Sequence, residues 1–457
     1  MNRKIRNTKA ENGDMTTGSP IRLILRFAIP LFIGNIFQQV YTIADTMIAG
    51  YNLGDRAIAA IGATSSIYSL LIDFASGMNS GYGIVISRMY GAKDREGMKK
   101  SIAAAIVLNG LITLVLTVLS LFAIRPFMQG MNVPDRIFED AYLYIVIILG
   151  GMASTNLYNM HAGILRAIGN SQAPLMFLIL SCFINLSLDT LFIVNLGWGV
   201  QGAAMATVIA QSCAAVFSGV YLGLKYRQIL PERRHFVIEA GVYKDVVTSG
   251  MAMAAMMCVV DFGSIIYQRA INGLGESLIA AHTAARRLIG IFMMPLASIA
   301  TAYSTFVSQN WGAGKKQRVR HSLKNTMFME IGWGLISACI SIGFGTMMVR
   351  LLTGTTDVYI IEKSVQSLRF HLICFPALGL LLALRTALQA MGQKIIPILS
   401  SSFEFGVKLI AGLWLIPWLG YLCVCVSEPL IWITCTVFLA VVFLIQNPLN
   451  ENEVKSK

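Results

Sequence analysis

The chain has 457 residues, 36 Lys and Arg against 23 Asp and Glu (formal net charge +13) and 8 Cys; 56% of it is hydrophobic and only 13% charged, where soluble proteins carry roughly 25% charged residues. With a mean hydropathy of +0.66 and apolar runs of about twenty residues or more, long enough to cross a hydrocarbon core of ~30 Å, it is not a string of soluble domains. The basic residues lie in short segments between apolar runs, which argues against a nucleic-acid patch. The cysteines all sit inside those runs with no C-x-x-C pair, which argues against a disulfide framework or a zinc site.

In chain order, residues 1–21 form a basic tail, and the apolar stretch that follows continues past Ala28 without a small-residue cleavage site, so it reads as a retained first span. Twelve spans are expected, near 22–48, 57–85, 101–124, 138–162, 171–195, 200–224, 244–271, 278–308, 323–349, 360–388, 395–417 and 421–445. Backbone groups in hydrocarbon must bond within their own segment, so the expected fold is an all-α membrane protein. Placing the N-terminus in the cytoplasm puts 26 Lys and Arg on the cytoplasmic side and 6 outside, with Arg286, Arg287, Arg369 and Lys408 inside spans. That bias predicts a multi-pass protein of the cell (inner) membrane with both termini cytoplasmic.

Two stretches recur. Ser87-Arg88-Met89-Tyr90-Gly91-Ala92-Lys93 resembles Ser308-Gln309-Asn310-Trp311-Gly312-Ala313-Gly314 at an offset of 221. Leu165-Arg166-Ala167-Ile168-Gly169, followed by Pro174, resembles Leu388-Gln389-Ala390-Met391-Gly392, followed by Pro397, at 223. The chain therefore divides into an N-terminal lobe of six helices (22–226), a cytoplasmic linker (227–243), a C-terminal lobe of six (244–446) and a tail (447–457). Six is even, so the lobes insert the same way up and are expected to be related by a pseudo-two-fold axis along the membrane normal, as in transporters that work by alternating access.

Ionisable residues inside spans are costly and mark function. The candidates are Asp45 in span 1, Asn185 and Asp189 four apart on one face of span 5, and Thr207 in span 6; Asp45, Asp189 and Thr207 fall about 8–12 Å from the external end at 1.5 Å per residue. Two carboxylates with amide and hydroxyl oxygens suit Na⁺, and the same pair can hold a proton between them, so either ion is a coupling candidate. The plainer alternative is that Asp45 caps its helix and Asp189 bonds Asn185. Asn159 and Asn156 in span 4 lie further inward. In the second lobe, Asp261 faces Arg286 and Arg287 across a helical hairpin, as an ion pair or as a substrate or cation contact. Glu404 and Lys408 stand in the favourable i,i+4 order. The repeat aligns Lys408 with Asn185 and Gly412 with Asp189, so the acid chemistry is not duplicated. Pro30 removes a backbone donor mid-span and is the hinge candidate. Gly77 and Gly81 make a small-xxx-small packing patch. Met257 and Met293, among several methionines, are candidates to line an adaptable apolar cavity. Gly312-Ala313-Gly314-Lys315-Lys316 lacks the first glycine and the Ser/Thr of a phosphate loop, and no nucleophile, base or metal set is clustered, so no enzyme and no cofactor is expected.

Several of these residues carry a resemblance. Ile43-Ala44-Asp45-Thr46, the Gly91-Ala92 and Gly312-Ala313 loops, Leu165-Arg166-Ala167-Ile168-Gly169-Asn170, Asn185-Leu186-Ser187-Leu188-Asp189 and the run from Gly199 to Thr207 together resemble the bacterial type of the multidrug and toxin extrusion (MATE) family over nearly the full length. The resemblance implies a monomeric secondary active antiporter in the lipid membrane that exports cationic or amphipathic drugs in exchange for Na⁺ or H⁺. It assigns cation coupling to Asp45, Asn185, Asp189 and Thr207, and bending of span 1 to Pro30. Many members carry a glutamate in span 7 where this chain has Asp261. Arg286, Arg287 and Lys408 keep a lipid-linked precursor flippase of the same superfamily as the alternative.

Overall fold

The computed structural model describes residues 13–131 and 133–450, so parts of both predicted tails, 1–12 and 451–457, lie outside the described residues. The apolar runs form helices: α1 (Pro20–Leu53), α2 (Asp55–Gly91), α3 (Arg95–Gly130), α4 (Asp135–Gly150), α5 (Met152–Ala167), α6 (Gln172–Asp189), α7 (Gly199–Lys225), α8 (Ala240–Asn272), α9 (Glu276–Gly312), α10 (Lys316–Thr353), α11 (Val358–Ile373), α12 (Phe375–Ala390), α13 (Ile395–Ile410), α14 (Ile416–Leu419) and α15 (Tyr421–Gln446). No strand occurs among the described residues. Among the described residues ten segments are long and apolar enough to cross a bilayer alone. The pairs α4/α5 and α11/α12, bent by 44° and 46°, bring the crossings to twelve when each pair counts as one.

The spans drawn at 138–162 and 360–388 are therefore each broken, at Gly151 and Cys374. A Cβ on Gly151 would run into the Val208 side chain of α7, so that position is held to glycine by close approach. At the second break Pro376 starts α12, where it can sit without losing a hydrogen bond. A wider, π-helical turn follows α6 (Thr190–Asn195), and another follows α13 (Ala411–Leu415).

The sequence repeat has a physical origin in its turns. Lys93 (φ 58°) and Gly314 (φ 70°) both take the left-handed conformation that closes a helix. The next amide then bonds back across the turn, Asp94 N to Met89 O (3.1 Å) and Lys315 N to Asn310 O (2.9 Å). Gly169 (φ 84°) and Gly392 (φ 91°) repeat the device, with Asn170 N to Leu165 O and Gln393 N to Leu388 O both at 2.9 Å.

Contacts divide the chain into two units. Among the described residues, the first comprises 13–14 and Ile29–Ala254; the second comprises Met15–Ala28 and 255–450. The division thus falls inside α1, beside Pro30, and inside α8, whereas the lobes read from the sequence meet at the linker. The start of α8 stays with the first unit because Gly77 and Gly81 of α2 admit it: a Cβ on Gly77 would come 2.6 Å from Ala254 Cα, and one on Gly81 would overlap the Ser249 carbonyl. The core of the first unit gathers around Tyr82, Ile86, Ile102 and Leu165, with a second cluster at Ile124, Ile145 and Leu149. In the second unit Ile271, Ala411, Ile416 and Val424 are fully buried together. The linker is tied to the start of α3 by Lys99 to Glu232 (2.7 Å) and by Arg234 and His235 to Glu96 (both 3.1 Å). The Lys99 ammonium bonded to Glu232 holds that carboxyl below its ordinary range.

Candidate functional site

In the first unit, α1 carries Tyr41 and Asp45 one turn apart, α6 carries Asn185 and Asp189 one turn apart, and α7 carries Thr207. Asp189 is fully buried and Asn185 is 2% exposed, while Asp45 is half-buried. Asn185 organises the site. Its amide nitrogen donates to Asp189 Oδ2 (2.6 Å) and to the Tyr41 hydroxyl (3.1 Å), and its carbonyl accepts from Thr207 N (3.0 Å) and Oγ1 (3.3 Å). That orientation satisfies both ends of the carboxamide, and the reverse one does not. The Asp45 and Asp189 carboxyls are within hydrogen-bonding reach of each other. Ionised carboxylates only accept, so a direct bond between them requires a proton. Tyr144 of α4 stands close to both acids. Beside Asn185 lies a small cavity of about 30 Å³, with Gln38, Tyr41, Thr207 and Gln211 among its walls, which is room for a water molecule or a bare monovalent ion.

The sequence reading named Asp45, Asn185, Asp189 and Thr207, and the structure brings them together; it missed Tyr41 and Tyr144. Tyr41 was readable in principle, since it precedes Asp45 by one helical turn and so shares its face. Asn159 stands elsewhere: its amide points to Ser76 Oγ at 3.5 Å. Asn156 belongs to another buried group, donating to Thr113 Oγ1 (3.1 Å).

The second unit holds a different chemistry. Arg286 Nη1 pairs with Glu428 Oε2 (2.7 Å), and His371 Nε2 is 3.4 Å from the same oxygen. Lys408 pairs with Glu404 (3.1 Å), as the i,i+4 order predicts, and approaches Glu428 (3.9 Å). Arg385 lies 3.5 Å from Glu404 and donates to Ser400 Oγ (3.0 Å). Glu404, Lys408 and Glu428 are all under a tenth exposed. Arg286, read from the sequence as lying across the hairpin from Asp261, pairs with Glu428 of α15. Glu428 lies 142 positions away, so no local pattern links it to Arg286. Met257 and Met293 are half-buried, and Pro30 is buried within α1.

These features define a polytopic helical bundle of a kind shared with membrane transporters. A solved structure of a MATE protein in the bent conformation superposes with a TM-score of 0.90 at 21% identity, covering 98% of this chain and 100% of that one. A MOP-superfamily transporter from Pyrococcus furiosus, described as having a binding pocket of reversed polarity that suggests a different function, superposes at 0.87 with 21% identity over 96% of this chain and 98% of its own. The "Probable multidrug resistance protein YpnP" of Bacillus subtilis is 24% identical over 397 residues, 86% of this chain and 88% of that protein. The family model described as MatE matches residues 30–191 and again 252–414, and the chain belongs to this family. The two matches begin 222 residues apart, between the offsets of 221 and 223 read from the loops.

Proposed function

We propose that the chain is a secondary active exporter of cationic or amphipathic organic compounds, working as a monomer in the cell membrane with both termini in the cytoplasm and driven by inward movement of H⁺ or Na⁺. Membership of the MatE family and a relative named for multidrug resistance support export. The observation that carries the coupling is the Asp45–Asp189 pair, held by Asn185 in the interior of the first unit. A proton completes the bond between the carboxyls. A Na⁺ ion would take its place among the Asp45, Asp189, Asn185 and Thr207 oxygens, so the two ions compete for one position. Binding either ion removes the repulsion between the acids, and that difference in free energy is what biases one conformation over another. Bending of α1 at Pro30, where one backbone donor is missing, is the movement the site would drive.

Asp45→Asn is expected to abolish dye efflux from loaded cells while folded protein remains at its normal level; undiminished efflux overturns the assignment. Dye movement in proteoliposomes under an imposed Na⁺ gradient and, separately, a pH gradient decides between the ions. In the same vesicles Pro30→Ala should slow transport without stopping it, and an unchanged rate removes the hinge. A second reading, a flippase for a lipid-linked precursor, is favoured by the interior of the second unit, where Arg286, Arg385 and Lys408 meet two carboxylates. Saturable movement of a polyprenyl phosphate in vesicles that move no dye would select it.

A further inference from the structure

Arg369 is an in-span cation of the sequence reading that the two sites above leave unused, and the structure places it in a groove. An open cavity of about 670 Å³ runs between α10 and α11, with Arg350, Lys363, Arg369 and Glu362 among its walls. Arg350 and Arg369 are exposed, and Lys363 is half-buried. Among the described residues none of these three cations forms an ion pair. Lys363 donates to Gln366 Oε1 (3.3 Å) and lies over the Tyr359 ring, while Arg369 donates to the Ile342 carbonyl (3.1 Å). Three cations and one carboxylate thus line a cavity whose other walls include Val358 (70% exposed), Phe370 (39%) and Ile373 (52%). Unpaired cations beside exposed apolar surface in a membrane helix require a counter-charge that tolerates both.

Depth selects that counter-charge. With 38 residues, α10 is ~57 Å long, well beyond a ~30 Å hydrocarbon core, so its ends project into the headgroup layers. Arg350, three residues from the end of α10, and Lys363, five residues into α11, lie about 5–8 Å from the shared helix ends and so at headgroup level. Arg369 and its acceptor Ile342 lie about 16 Å in, near the edge of the hydrocarbon. Phe370 and Ile373 continue inward from there. A ladder of two cations, one deeper arginine and then apolar side chains matches, in order, a phosphate, glycerol-ester oxygens and an acyl chain.

We infer that the groove between α10 and α11 is a binding site for an anionic phospholipid, with its phosphate between Arg350 and Lys363, its ester oxygens toward Arg369 and an acyl chain along Phe370 and Ile373. Glu362 limits the attraction.

The test is native mass spectrometry of the full-length protein in detergent, titrated with phosphatidylglycerol, phosphatidylcholine or inorganic phosphate. Phosphatidylglycerol adducts should exceed phosphatidylcholine adducts, and Arg350→Gln and Lys363→Gln should each weaken phosphatidylglycerol binding about fivefold, the effect of one basic residue at an anionic membrane surface. Glu362→Gln, which removes the repelling charge and leaves the cations in place, should strengthen it. Equal retention of the two lipids, or unchanged retention in all three variants, overturns the site. Displacement of phosphatidylglycerol by excess inorganic phosphate also overturns it, because the groove would then be a phosphate site and not a lipid site.

Discussion

Asn185 links Asp189, Tyr41 and Thr207 in the first-unit site, so its removal has effects that single contacts do not. Asn185→Ala leaves Asp189 Oδ2 without the amide that donates to it in a region closed to bulk water, and an orphaned buried polar group costs about 1–3 kcal/mol. The variant should show a lower midpoint of thermal unfolding in detergent together with lost transport. Asn185→Asp would add a third acid beside two others and is expected to lose transport as well. A normal midpoint for Asn185→Ala would mean that water replaces the amide and that the network is not a structural unit. The residues legible in the sequence here are those whose cost betrays them: an acid or amide in a hydrocarbon span has to be explained. Tyr41 and Tyr144 escaped because a phenol in an apolar run is ordinary core material until a polar group is seen against its hydroxyl. Glu428 escaped for a different reason, since its partners Arg286, His371 and Lys408 come from three other helices that only the fold brings together.

At the scale of elements, the spans and their order are legible because hydrocarbon fixes both the length and the composition of a crossing. The breaks at Gly151 and Cys374 and the wide turns after Asp189 and Ile410 are not, because nothing in hydropathy distinguishes a bent helix from a straight one. They are set by neighbours, as Val208 sets Gly151. The same holds for α2 against α8, where the packing patch was visible in the sequence but the partner helix was not. Gly81→Ala places a methyl where the Ser249 carbonyl and Gly250 Cα now lie, and overpacking of this kind costs about 1–3 kcal/mol. Gly62→Ala on the same helix meets nothing within 4 Å and should be neutral or slightly stabilising, since alanine is the better helix former. Thermal unfolding of the pair side by side is the measurement. Equal midpoints would show that α2 and α8 can separate at no cost, and the close approach would then not be what keeps the start of α8 with the first unit.

At the scale of the whole molecule, the repeat was readable from two loops because each turn needs a residue in the left-handed conformation at a fixed place, and the family match found it again independently. Orientation rests on the 26 to 6 split of basic residues and predicts a simple outcome. Alkaline phosphatase fused after Thr355 should be active, because that loop is expected outside, and the same reporter fused after Asn450 should be inactive. The opposite pattern would invert the proposed direction of transport. The division of charge between the units could not be read beyond its outline, since Lys408 announces that the acids are not repeated but not that Glu404 and Glu428 gather around it. One feature of both units reaches further. The helix breaks at 151 and 374 and the wide turns at 190 and 411 recur at offsets of 223 and 221, while the side chains around them have diverged. A duplicated ancestor would have handed the same bends to both descendants and left each free to change its charges. An engineer who wishes to change the driving ion should therefore rewrite the acids of one copy and leave the inherited bends of both untouched.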